Sequence, residues 1–108
     1  MIDYELKVKL DELRTKFEDL KNLFDIEKAK KRVSELEEIM TDPNFWNDPK
    51  KAENVSRENQ HLKDEIDEFK KLQSLFEDID VAIEFSDEDP SMEKQINELM
   101  KKISKMIK

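Results

Sequence analysis

Glycine is absent from this 108-residue chain, where ordinary usage of roughly 7% would supply about seven. That absence excludes the glycine-rich phosphate cradles of nucleotide-binding enzymes and any turn that relies on glycine's positive φ. Cysteine is also absent, so there is no disulfide framework, thiol nucleophile or thiolate metal site. A single histidine, His61, leaves no imidazole pair for a metal or proton relay. No run approaches the ~18 apolar residues of a membrane span, and the start of the chain lacks a basic region followed by an apolar stretch. These absences imply no cofactor, no bound metal, no catalytic residue and no membrane partner, and they fit a soluble cytoplasmic protein.

What remains is charge: 44% of residues are Asp, Glu, Lys or Arg against 36% apolar, with a net charge of -8. So lean an apolar fraction suits helices that bury one stripe and leave the rest wet. The acidic balance argues against free DNA as a partner, because nucleic-acid binding over a whole surface needs a basic face. Any contact with nucleic acid is expected to be local.

The apolar positions Leu6, Leu10, Leu13, Phe17, Leu20 and Phe24 alternate in steps of four and three, the seam of a packed helix. The phase slips at Asp25, a helix-capping residue, and resumes as Ile26, Ala29, Val33, Leu36 and Met40. Pro43 ends that helix, since proline disfavours helical geometry in the residue before it and lacks the amide hydrogen. Asp48-Pro49 then starts a third helix, whose stripe from Val55 to Ile83 meets no breaker until about Phe85. At 1.5 Å per residue its length is about 55 Å. Asp89-Pro90 repeats the signal for a last helix with the stripe Met92, Ile96, Leu99, Ile103 and Met106 or Ile107. The expectation is a single all-α domain over 1-108: an elongated, coiled-coil-like antiparallel bundle. Its helices are placed at about 3-24, 26-41, 49-85 and 90-107, the long third one central.

The most individual stretch is the turn from Thr41 to Pro49, which holds the sole tryptophan between two Asp-Pro steps. Asp42, Pro43, Phe45, Trp46, Asp48 and Pro49 are its structural residues, and Phe45 and Trp46 are expected to plug the end of the bundle. The cluster Lys28, Lys30, Lys31 and Arg32 is a candidate contact for phosphates, but its segment carries four carboxylates as well, so a solvated face is the plainer reading. Asn59 falls at an inward position, where a polar group can fix register. His61 is expected at the surface.

The runs Phe24 to Ala29 and Leu36 to Ala52, with Asp42-Pro43, Phe45-Trp46 and Asp48 as their sharpest elements, resemble the amino-terminal helical domain of the bacterial release factor 2 family. The likeness spans nearly the whole chain. It implies a docking domain of a factor that ends translation at UAA and UGA codons. In that family a Ser-Pro-Phe loop reads the codon and a Gly-Gly-Gln loop promotes peptidyl-tRNA hydrolysis. Neither loop is in these 108 residues, so the resemblance implies one domain of a larger protein, without catalysis of its own. It also implies the ribosome near the stalk base as partner, through RNA or protein, together with the recycling GTPase release factor 3. Lys28, Lys30, Lys31 and Arg32 are the candidate ribosome contact. The chain is expected to be a monomer or weak dimer, and the rival reading is a freestanding coiled-coil adaptor or dimerisation module.

Overall fold

A computed structural model of the chain describes residues 4–107, and the expected helix start at Asp3 lies outside them. Among the described residues there are four α-helices, one 3-10 segment and no strand: α1 (Tyr4–Leu23), α2 (Ile26–Met40), the 3-10 segment Pro43–Asn47, α3 (Pro49–Ser86) and α4 (Met92–Met106). The all-α expectation is met. No described residue has a positive φ, so the breaks between helices are made without left-handed backbone.

Aspartates make them instead. The Asp25 carboxylate accepts the Lys28 amide at 3.1 Å, where the phase of the stripe slips, and α2 begins. Asp48, likewise extended, accepts the Lys51 amide at 3.2 Å, with Pro49 in the first helical position. Before α4, Asp89 accepts both the amide (3.0 Å) and the hydroxyl (2.6 Å) of Ser91, and its carbonyl accepts the Met92 amide at 3.1 Å. Asp89-Pro90 thus opens the turn that leads into α4 at Met92.

The chain groups into two compact units. One comprises residues 24–69, the other residues 1–23 with 70–108. In the first, α2 and the first part of α3 run antiparallel. Met40, near the turn, meets Asn59 at 3.9 Å, while Phe24, far from it, stacks on Phe69 with ring centroids 4.8 Å apart. Ala29, Leu36, Phe45, Ala52 and Ile66 form the buried stripe. Ion pairs flank it: Arg32 with Glu58 and Lys63 with Glu37.

In the second unit α1, the later part of α3 and α4 bury Leu10, Leu13, Phe17, Leu72, Phe76, Ile79, Ile96, Met100, Ile103 and Ile107. Phe17 meets Phe76 at a centroid distance of 5.1 Å, and Arg14 lies over the Phe76 ring at 5.3 Å while pairing with Asp80. This is a cation resting on an aromatic face with its charge answered beside it. Two stripe positions resolve here: Ile107 is buried and Met106 only partly so, whereas Leu20 is exposed.

Asn59 is the buried polar residue of the first unit, as its spacing predicts. Its Nδ2 faces the Met40 sulfur, and its Oδ1 has no hydrogen-bond partner among the described residues.

The core assignment makes a stability prediction. Ile79 is 0% exposed, so Ile79→Ala should lower the unfolding free energy by about 2 to 5 kcal/mol. At Leu23, 85% exposed, the same truncation should stay within about 0.5 kcal/mol in urea titration.

Candidate functional site

The turn between α2 and α3 is built by its own side chains. Thr41 closes α2, its hydroxyl donating to the Glu38 carbonyl at 2.6 Å and its amide reaching the same oxygen at 3.1 Å. Asp42 is extended, as the residue before a proline must be. Its carboxylate accepts the Asn44 amide at 2.9 Å and its carbonyl the Phe45 amide at 3.0 Å. Asn47 donates from Nδ2 to Asn44 Oδ1 at 3.3 Å, and Asp48 hands the chain to α3. The amides of Thr41, Asp42, Asn44, Phe45 and Lys51 are each answered within this reversal.

Within this frame the two aromatic neighbours part. Phe45 is 6% exposed, whereas Trp46 is 60% exposed and stands edge-on to the Phe45 ring, at 4.8 Å and 86°. The expectation that both plug the bundle is corrected: Phe45 alone does. The reason is the geometry of a 3-10 turn, with three residues per turn, which sends consecutive side chains about 120° apart. Only one of an adjacent pair can face the core. Trp46 is thus a large aromatic held out in solvent, with one side supported by Phe45.

The basic cluster is divided in the same way by helical geometry. At about 100° per residue, Lys30 and Arg32 flank the buried Ala29–Leu36 stripe on opposite sides, and Lys31 lies opposite it. Arg32 is committed to α3. Its Nε donates to Glu58 Oε2 at 2.7 Å and its Nη2 to Oε1 at 3.1 Å, a bidentate pair. Lys30 leans on Glu27 at 3.8 Å. Lys28 and Lys31 have no carboxylate within 4.0 Å among the described residues. The four do not gather into one patch.

Two carboxyl groups of this unit are displaced in acidity. The hydrogen bonds from Arg32, and then its charge, hold Glu58 below the usual carboxylate range. Lys63, 2.6 Å away, does the same for Glu37, with a smaller part from Asn59. His61 is exposed as expected, its Nε2 3.0 Å from Glu65. The described residues contain no cluster of His, Asp or Glu suited to hold a metal ion, and no helix among them is long and apolar enough to cross a membrane.

Two measurements test this geometry. Trp46 fluorescence should be water-like in emission and open to quenching, with Trp46→Ala costing under about 1 kcal/mol and Phe45→Ala about 3 to 5 kcal/mol. Because the folded Glu58 lies below its unfolded value, its contribution is present above the unfolded pKa and fades as pH falls through the carboxylate range. Carboxyl NMR titration of Arg32→Gln should return Glu58 toward ordinary acidity and flatten that part of the acid limb of stability.

Comparison with known proteins covers nearly the whole chain. The family model described as the PCRF domain matches residues 29–108, a span that includes the turn, α3 and α4. The chain is 51% identical over 107 residues to peptide chain release factor 2 of Petrotoga mobilis, covering 99% of this chain and 29% of that protein. It is 44% identical over 108 residues to peptide chain release factor 2 of Thermosipho africanus, covering 100% of this chain and 29% of that protein. The figure for peptide chain release factor 2 of Kosmotoga olearia is 39% over 108 residues, with the same two coverages of 100% and 29%. The chain therefore spans 29% of the length of these relatives. No solved structure matches. With the family model matching most of its length and proteins named peptide chain release factor 2 aligning across it from end to end, the chain belongs to the PCRF domain family.

Proposed function

We propose that this chain is the docking domain of a peptide chain release factor acting in the cytoplasm in translation termination at UAA and UGA codons. On this reading it performs no chemistry: it places the rest of the factor on the ribosome near the stalk base and stands where the recycling GTPase release factor 3 works. One observation carries the reading. In a chain whose relatives are named peptide chain release factor 2, a turn fixed by its own hydrogen bonds spends its only tryptophan on solvent.

A tryptophan exposed on a rigid turn is costly to leave wet and has the form of an interface anchor. Its large face is preorganised, so little side-chain entropy is lost on binding. Asp42 and Asp48 direct their carboxylates inward to backbone amides, and the exposed Lys50 and Lys51 follow at once. The turn thus offers an indole beside two cations, a pairing suited to ribosomal RNA or to a protein resting on it. On α2, Lys28 and Lys31 are the cations left to meet phosphate, with Lys30 less available and Arg32 held by Glu58. The chain works as a monomer on this reading, and concentration-dependent self-association would favour a coiled-coil adaptor instead.

Co-sedimentation of the chain with purified ribosomes tests it. Trp46→Ala should weaken binding by about tenfold or more, as loss of a hot-spot aromatic of at least ~1.4 kcal/mol requires. Reversal of Lys28 and Lys31 to Glu should weaken binding further and reduce its salt dependence. Binding by the Trp46→Ala chain equal to that of the parent would remove the turn from the docking surface.

A further inference from the structure

A second surface lies on the other unit, independent of the Trp46 turn. Asp78, Val81, Ala82 and Phe85 share one face of α3 through the spacing of three, four and seven, and Met92 and Leu99 line the facing side of α4. Between them runs an open groove of about 570 Å³. Val81 and Phe85 are each 53% exposed, and Met92 and Leu99 are partly exposed. An apolar floor of this kind within a highly charged chain marks a contact surface. Along the helix axes it extends about 10 to 15 Å, from Asp78 to Phe85 and from Met92 to Lys102, which is two to three turns of a partner helix.

The charge around the groove identifies the occupant. From residue 72 to residue 93 the chain carries eight carboxylates and no lysine or arginine. Asp80 is answered by Arg14, Asp87 has a partner within the chain, and Asp89 is used within the turn before α4. Glu84 sits in the last turn of α3, where no basic residue stands and where the helix dipole is already negative. This arrangement works against the isolated helix and favours a cation brought from outside. Asp78 and Glu98 stand at the rim, and Lys102 closes the far end.

We propose that the groove between the end of α3 and α4 binds an amphipathic helix rich in lysine or arginine. Its apolar face lies on Val81, Phe85, Met92 and Leu99, and its cations face Asp78 and Glu98 at the rim. Burial of the apolar floor supplies affinity, while Asp78 and Glu98 at the rim select a basic partner over an acidic one.

The probe is a synthetic leucine–lysine peptide of ~18 residues, about five helical turns, titrated into the isotope-labelled chain and followed by amide NMR. Shift changes should concentrate at Val81, Phe85, Met92 and Leu99. A scrambled peptide of equal charge, and one with glutamate for lysine, should each bind at least about tenfold more weakly. Val81→Ser with Phe85→Ser should weaken binding by a similar factor, and so, separately, should Asp78→Lys with Glu98→Lys at the rim. Leu23→Ser should leave binding unchanged. Equal binding of the scrambled or glutamate peptide, or shifts spread over the acidic surface outside the groove, would overturn the proposal. So would self-association of the free chain through the same residues, which would make a second copy the occupant.

Discussion

Four aspartate carboxylates, on Asp25, Asp42, Asp48 and Asp89, each accept a backbone amide two or three residues ahead: Lys28, Asn44, Lys51 and Ser91. Much else in the chain depends on them. A helical hairpin commonly turns on glycine in the left-handed region, but this chain has no glycine and no described residue with positive φ. The breaks between helices are instead made without left-handed backbone, and at each of them a short carboxylate satisfies a freed amide. Turns built this way are fixed by hydrogen bonds rather than by conformational tolerance, and they present their remaining side chains in set directions.

That constraint explains why the turn at 42–48 can hold a tryptophan in water. Packing of Phe45 anchors the segment, the two aspartates fix its ends, and the 3-10 geometry turns Trp46 outward. The docking role proposed for it needs only that this presentation be rigid. The basic residues of α2 are secondary, because the pairing that holds α2 to α3 removes Arg32 from the supply of available cations.

Much of this was legible in the sequence, for identifiable reasons. Proline and aspartate punctuate so strongly that the 3-10 turn and the starts of α2 and α3 could be placed from residue type alone. At α4 the same Asp-Pro signal is followed by a turn in which Asp89 holds the amide and hydroxyl of Ser91, and the regular helix runs from Met92. Trp46 misled because a lone tryptophan is ordinarily counted as core, and sequence does not say that its neighbour already occupies the inward direction. Ala52 and Ala82 are buried but were not named, since alanine is equally at home on a wet helix face. Their in-register spacing with Val55 and Ile79 was the available signal. Leu20 continues the heptad yet is exposed, because periodicity marks a face and not the extent of what covers it.

Aspartate capping, in place of glycine, fixes the turn that carries Trp46. Backbone NMR with amide exchange on a chain in which Asp42 and Asp48 are both alanine tests it most directly. The Asn44 and Lys51 amides should lose protection and the Trp46 indole signal should narrow as the ring gains freedom, while Ile79 and Ile103 keep their slow exchange. Unchanged protection at Asn44 and Lys51, with an unchanged indole signal, would contradict it.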